Sequence, residues 1–184
     1  MNAIDILKEE HDAVVQSIRL LKRIVQQIDI TGKITRPEHL TQLLKFFRVF
    51  VDQCHHTKEE SLLFPALEAI GISREGGPIG VMLKEHDRGR ELVTRMDAAI
   101  NRYFGGDGAA VSDFVSCAND YINLLGTHIH KENEVLFQLA IRHLSKDRLE
   151  ELKNGFERIE EEEIGAEKHG EFHQLLGALT REYE

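Results

Sequence analysis

Histidine and glutamate recur along this chain in a pattern that suits a transition-metal site. Two stretches each place a histidine four residues before a glutamate and end in Leu-Phe, namely His55 with Glu59 and His128 with Glu132. The second stretch follows the first at an offset of 73 residues. Residues four apart share one face of a helix, so each pair could bind an ion from one side. Imidazole nitrogens and carboxylates are the ligands typical of non-haem transition-metal sites.

A single histidine precedes each stretch within a repeated tripeptide. The sequence Glu-His-Asp occurs at residues 10–12 and again at residues 85–87, an offset of 75 residues. Ionisable side chains inside an apolar helical protein are costly unless they are paired or bound to metal. The doubled pattern therefore predicts a dinuclear metal site with six ligands, which are His11, His55, Glu59, His86, His128 and Glu132.

The repeat also predicts a role for each ligand. His11 and His55 would bind one ion, while His86 and His128 would bind the other, and the two glutamates would bridge both ions. Six protein ligands leave positions open on octahedral ions, where water, an oxide or hydroxide bridge, or a small molecule can bind. Nitrogen and carboxylate donors with open positions favour two iron ions over manganese, and favour zinc least because zinc prefers four ligands.

The register of the ligands has an alternative. His56 with Glu60, and His130 with Glu134, are also four residues apart. Only the pairs that begin at residues 55 and 128 preserve the repeat, so we prefer them. His56 remains a candidate ligand from the neighbouring helix face, and Glu60 is a candidate acceptor for the second nitrogen of a ligand imidazole.

Several other side chains have expected places around such a site. Tyr121 lies two helical turns before His128 and is expected in the core, where its phenol could donate a hydrogen bond or carry an electron. Phe64 and Phe137 end the two stretches and are expected to shield the ions from water. The remaining histidines are expected to face solvent: His39, His143, His169 and His173. His169 could instead cover the site.

Apolar residues recur every three to four positions along most of the chain, which predicts helices. These span about residues 2–29, 37–69, 82–100, 111–139, 145–159 and 167–183. We expect Thr35 to cap the second helix and Ser145 the fifth. Pro65 is expected to bend or loosen the end of the second helix, because proline removes a backbone donor.

Four long helices joined by short glycine-rich turns predict an all-α fold, an antiparallel up-down-up-down four-helix bundle. Residues 1–145 would form this bundle, as two similar helical hairpins related by an approximate twofold axis. Residues 146–184 would add C-terminal helices that pack on the outside of the bundle or across one end.

Composition excludes several classes of function. The chain has 184 residues and a net charge of −9, which suits one domain and argues against nucleic-acid or anionic membrane partners. Its longest apolar runs are too short to span a bilayer, and the first ten residues lack the pattern of a signal peptide. Cys54 and Cys117 form no framework of disulfides, so we expect a cytoplasmic protein with reduced, buried thiols.

The chain resembles the hemerythrin-like, HHE cation-binding family over about residues 3–145. The features are the two Glu-His-Asp tripeptides, the His-His-Thr-Lys-Glu-Glu sequence of residues 55–60 followed by Leu-Phe-Pro, and the later pair of His128 and Glu132. This resemblance implies a four-helix bundle around a carboxylate-bridged di-iron centre that handles dioxygen or a related small molecule. Oxygen carriers of the family have a second histidine where Arg90 stands here, and an aspartate in the role of Glu132.

That departure argues against a simple reversible oxygen carrier. We therefore expect a protein that binds or senses dioxygen, nitric oxide or peroxide. The alternative is a di-iron enzyme or iron donor, which would reduce peroxide or nitric oxide or repair iron-sulfur centres. A helical interaction module with incidental histidines would bind no metal. The first two functions need the same ligands, so the sequence does not separate them.

Overall fold

The structure, a computed structural model, describes residues 1–183 and is helical, with no strand among these residues. Residue 184, the end of the predicted C-terminal segment, lies outside the described residues. The helices are α1 (Ala3–Thr31), α2 (residues 37–68), α3 (Pro78–Phe104), α4 (residues 110–143), α5 (Lys146–Glu163) and α6 (Ala166–Glu182). The prediction of an all-α chain is confirmed, and the predicted helix bounds agree with these to within a few residues.

Local sequence explains where the helices begin and end. The Asn2 side chain accepts hydrogen bonds from the first turn of α1, and Gly32, with φ of 68°, ends that helix in a left-handed conformation. Ser145 caps α5 as predicted, accepting from the amide of Arg148. The prediction for Thr35 is wrong. Arg36 occupies the cap of α2 without a side-chain bond, because Pro37 already fixes the first helical turn.

Both predicted ligand stretches contain π-helical turns. These cover Glu59–Leu63 in α2, which also has a longer π segment at Phe47–His56, and Glu132–Leu136 in α4. The amide of Phe64 donates to the carbonyl of Glu59, five residues earlier, and Phe137 donates to Glu132 in the same way. Helix α4 has no proline there, so Pro65 is not needed for this loosening. Such turns are frequent at functional sites.

The core consists of two apolar clusters with buried polar residues between them. The large cluster includes Leu21, Leu43, Met96 and Phe114, and the small cluster includes Leu7, Phe64, Met82 and Phe137. The buried polar layer comprises Glu10, His11, His55, His56, Lys58, Glu59, His86, His128 and Glu132. Helices α1 and α3 run from the small cluster through this layer to the large one, and α2 and α4 pass through in the opposite order.

The last two helices complete both clusters. Phe156 of α5 belongs to the small cluster, while Phe172 and Leu176 of α6 belong to the large one. The ring of Phe172 meets that of Phe46 edge-on at 5.6 Å between centroids, which places α6 against α2. None of the helices among residues 1–183 has the length and apolar character needed to cross a bilayer.

Candidate metal centre

The six predicted ligands meet in the middle of the polar layer. The Nε2 atoms of His11 and His55 are 3.1 Å apart, and those of His86 and His128 are also 3.1 Å apart. Glu59 and Glu132 belong to both histidine pairs, and within each group of four residues the donor atoms lie within 4.8 Å of one another. Two groups that share two carboxylates have the form of a dinuclear site.

The two shared carboxylates lack hydrogen-bond donors among the described residues. Glu59 and Glu132 are completely buried, and among the described residues all four of their oxygens have no hydrogen-bond donor. The oxygens of Glu132 lie 3.2 Å from Nε2 of His11 and of His128, but these contacts are not aligned as hydrogen bonds. Burial, and next the charge of Glu132, raise the pKa of Glu59 well above its usual value. The donor set therefore fits cations that would partner these oxygens.

Carboxylates outside the six predicted ligands hold the second nitrogen of three of the four imidazoles, and for two of these the carboxylate is itself bound by a lysine. His55 Nδ1 donates to Glu10 at 2.7 Å, and Glu10 in turn is bound by Lys58. His128 Nδ1 donates to Glu85 at 2.9 Å, and Glu85 is bound by Lys131. Such partners fix the ring orientation and leave Nε2 as the nitrogen that a metal ion would bind.

The other two imidazoles have different partners. His86 Nδ1 donates to Glu60 at 2.7 Å, and Glu60 also accepts from Arg90 at 2.6 Å. His11 Nδ1 contacts the amide oxygen of Asn133 at 3.1 Å. The four Nε2 atoms thus all turn toward the shared glutamates, while the four Nδ1 atoms are held by oxygen acceptors. This accounts for Glu60 as the acceptor that the sequence suggested.

Two phenylalanines seal the small-cluster side of the layer. Phe137 stacks on His11 with 5.2 Å between centroids, and Phe64 stacks on His86 at 6.0 Å. Both phenylalanines are fully buried. Each ring therefore covers a histidine from the other half of the repeat, in agreement with the expected shielding.

The pKa values of His55 and His128, one from each histidine pair, are shifted in opposite directions. Burial lowers the pKa of His55. Burial has the same effect on His128, but the charges of Glu132 and Glu85 outweigh it and raise its pKa to about 9. In the metal-free protein His128 would therefore be protonated at neutral pH, and binding of an ion would displace this proton.

The alternative register is only partly represented in the polar layer. His130 and Glu134 are exposed and lie outside it. His56 is buried and stacks on His86 with 3.7 Å between ring centroids. It also forms a group with His86 and His128 whose donor atoms lie within 4.8 Å of one another.

The expectations for the remaining polar residues have mixed outcomes. His143 and His173 are exposed as expected, but the prediction for His39 is wrong. His39 is buried, because the end of the chain packs across α2 and brings the Tyr183 hydroxyl to 2.9 Å from its Nδ1. His169 is half-buried beside Glu160 and outside both ligand groups.

Tyr121 and the two cysteines are core residues. The Tyr121 ring is buried against Phe47, and burial raises the pKa of its phenol. Cys54 and Cys117 are free and buried. Burial also raises the pKa of the Cys54 thiol to about 12. Such a thiol is protonated at neutral pH and therefore unreactive.

Four supporting residues had no role in the sequence-based prediction: Glu10, Glu85, Lys58 and Lys131. The spacing of these residues nevertheless follows the sequence repeat. The two glutamates are 75 residues apart and the two lysines 73 residues apart, the same offsets as the ligands beside them. What the sequence lacked was the pairing between helices, since each glutamate supports a histidine of the following helix.

The chain is similar in sequence to several proteins that are named iron-sulfur cluster repair proteins. The chain is 29% identical over 143 residues to the iron-sulfur cluster repair protein YtfE of Dickeya chrysanthemi (strain Ech1591), covering 76% of this chain and 64% of that one. It is 30% identical over 135 residues to YtfE of Edwardsiella ictaluri (strain 93-146), covering 72% and 60%. It is also 28% identical over 137 residues to the iron-sulfur cluster repair protein DnrN of Neisseria gonorrhoeae, covering 72% and 85%.

The first two of these relatives are matched over less than two thirds of their own length. No solved structure matches the chain. The model of the hemerythrin HHE cation binding domain matches residues 2–140, a range that contains both histidine pairs and both unpartnered glutamates. Helical architecture, a buried imidazole and carboxylate donor set, and this match lead to one conclusion: the chain belongs to the hemerythrin HHE cation-binding family.

Proposed function

We propose that this protein is a non-haem di-iron protein that binds or senses a small molecule such as dioxygen, nitric oxide or peroxide. The observation that carries the proposal is the set of four unpartnered oxygens of Glu59 and Glu132 between two pairs of imidazole nitrogens. Iron bound there would supply open coordination positions and redox chemistry. The family match supports a cation at this place.

Each of these residues has a proposed role at the two ions. His11 and His55 would hold one ion, and His86 and His128 the other, with both glutamates bridging and an oxide or hydroxide completing the bridge. Iron is preferred over manganese or zinc for the reasons of donor type given above. Glu10 and Glu85 would keep the Nδ1 protons of two ligand imidazoles in place.

The same proposal includes the architecture around the ions. The alternating order of apolar clusters along α1 to α4 supports an antiparallel up-down-up-down four-helix bundle. We propose that residues 1–145 form this bundle, with the helices beyond residue 145 as an addition. The match to the family model ends nearby, at residue 140.

The test is iron binding by His55→Ala against a matched control. We expect wild-type protein loaded with iron under anaerobic conditions, then exposed to air, to show near-ultraviolet absorption from bridged ferric ions. His55→Ala should lose this absorption and at least half of the iron, because it removes one of two imidazoles from an ion. His143→Ala, at an exposed histidine, should behave as wild type. Full iron and unchanged spectra in His55→Ala would reject the ligand set.

The relatives named as iron-sulfur cluster repair proteins favour a second function, repair of iron-sulfur centres, which this chain would perform by donating iron. Helical ligands that hold iron only through side chains could release it to an acceptor protein. Mixing iron-loaded protein with a cluster-free ferredoxin and a sulfide source distinguishes the two functions. Cluster formation faster than with an equal amount of free iron supports donation, whereas a stable nitric oxide adduct without loss of iron supports binding or sensing.

A further inference from the structure

A cavity reaches the buried polar layer on the side of His86 and His128. It has a volume of about 290 Å³ and lies between α2 and α3. Its wall includes Arg48, Asp52, His56, Gly89, Arg90, Thr94 and Tyr121. Because the ring of His56 lies 3.7 Å from that of His86 between centroids, a single imidazole separates the cavity from a proposed ligand. A space of this size holds several waters or one small molecule.

The equivalent positions in the other half of the repeat are filled. At the offset of 75 residues, Gly89 corresponds to Val14, which is buried in the large cluster. At the offset of 73 residues, His56 corresponds to Ile129, which is also buried there. The cavity therefore lies where the two halves of the repeat differ, because Gly89 has no side chain and His56 has a polar ring.

On the side of His11 and His55, charged side chains fill the space beside the site. Lys58 is fully buried between Glu10 and Glu160 of α5, whereas its counterpart Lys131 is 38% exposed. A second cavity, of about 300 Å³, touches Glu10. The carboxylate of Glu10 is already bound by His55 and Lys58, and the rest of that cavity is lined by Ile6, Glu9, Glu157, Glu160, His169 and His173. Glutamates outnumber histidines in this lining, which disfavours anions.

The first cavity has a polar wall in which arginines are paired with carboxylates. Arg48, Asp52 and Arg90 line it, and Arg48 donates to Asp97 at 2.9 Å. Arg90 is held in place by Asp52 at 2.7 Å, Glu60 at 2.6 Å and Asp87 at 2.9 Å. Since Glu60 also accepts from His86, this network joins the cavity wall to the histidine pair on that side. The wall is polar and is held together by these ion pairs, so it can accommodate a small polar guest.

We propose that this cavity is the docking chamber and entry route for the small ligand of the centre, and that it serves the ion held by His86 and His128. The ligand class is a molecule of two or three heavy atoms, neutral or singly negative, that binds iron. This inference rests on the proposed function, and it adds that the two ions are reached unequally.

The test is azide binding to the iron-loaded full chain, followed by stopped-flow absorption. Gly89→Val fills the cavity with the residue found at the equivalent position, and an added Cβ there meets the Tyr121 ring at 3.6 Å, an ordinary contact. Thr94→Phe fills it from an exposed position and carries the test alone if Gly89→Val does not fold. Thr127→Phe is the matched control, because Thr127 is an exposed helical threonine with the same backbone bond, outside the cavity lining.

We expect azide association and dissociation in the filled variants to slow by about tenfold each, with the dissociation constant changed by less than about twofold, because a blocked route changes rates rather than equilibria. Thr127→Phe should match wild type. Wild-type rates in folded variants that retain full iron would overturn this inference and leave the proposed function standing. Failure of the wild-type chain to hold iron would overturn both.

Chemical modification supplies a readout that does not depend on ligand binding. Carbethoxylation of His56 by diethyl pyrocarbonate, measured by mass spectrometry relative to exposed His143, should be slowed several-fold in Thr94→Phe. It should be unchanged in Thr127→Phe. Equal reactivity of His56 in both variants would show that reagents reach it by another path, against the inference.

Discussion

Replacing Glu59 by glutamine should stabilise the metal-free protein while removing its ability to hold iron. The two effects have one cause, because the buried oxygens of Glu59 and Glu132 face one another without donors among the described residues. Glutamine keeps the size of the side chain, removes its charge and brings a donor. We expect the free energy of unfolding of the metal-free chain to rise by about 1–3 kcal/mol at neutral pH.

The raised pKa of Glu59 determines the direction in which the stability of the metal-free protein changes with pH. The pKa of Glu59 is raised in the folded protein, so its favourable contribution is present below its unfolded value of about 4.5 and is lost as pH rises through the folded value. Urea unfolding of metal-free wild type should therefore show a loss of stability between mildly acidic and alkaline pH that is smaller in Glu59→Gln. Glu134→Gln, at an exposed position, is the control. A destabilised metal-free Glu59→Gln would contradict the unpartnered carboxylates.

Replacing Lys58 by methionine should be far more damaging than the same change at Lys131. Both lysines bind a glutamate that accepts from the imidazole of a proposed ligand. Lys58 is fully buried, however, and its loss would leave the buried carboxylate of Glu10 without its lysine countercharge. We expect Lys58→Met to lower the free energy of unfolding by about 3–5 kcal/mol, and Lys131→Met by less than about 1 kcal/mol because Lys131 is partly exposed.

The pKa of Glu10 predicts how the effect of Lys58→Met on stability depends on pH. Burial alone raises the pKa of this carboxyl, but hydrogen bonds and charges from His55 and Lys58 outweigh it and lower the pKa to about 2. Its stabilising contribution is therefore present above the unfolded value of 4.5 and is lost as pH falls toward about 2. Urea unfolding at neutral pH and near pH 3 should show the difference between wild type and Lys58→Met shrinking in acid. Equal losses in the two methionine variants would contradict the burial of Lys58.

The sequence could predict the helices and the group of six residues because both depend on local spacing. Apolar periodicity marks each helix, and a histidine four residues before a glutamate places both on one face. The repeat then selected residues 55 and 128 over residues 56 and 130, and the structure brings the selected set together.

What the sequence could not supply depends on contacts between distant segments. The burial of His39 comes from Tyr183, 144 residues later in the chain. The burial of Lys58 needs Glu160 of α5, 102 residues away. The cavity depends on Gly89 lying opposite Tyr121 of another helix. Periodicity within one helix carries no information about these pairings.

The most direct test of the proposed dinuclear site is the amount and magnetic state of iron in the purified, anaerobically loaded chain. Iron analysis combined with Mössbauer spectroscopy of the air-oxidised protein measures both. We predict two iron ions per chain as an antiferromagnetically coupled ferric pair, because the two histidine groups share Glu59 and Glu132. Fewer than about one iron per chain, or two ions without magnetic coupling, would contradict a carboxylate-bridged centre.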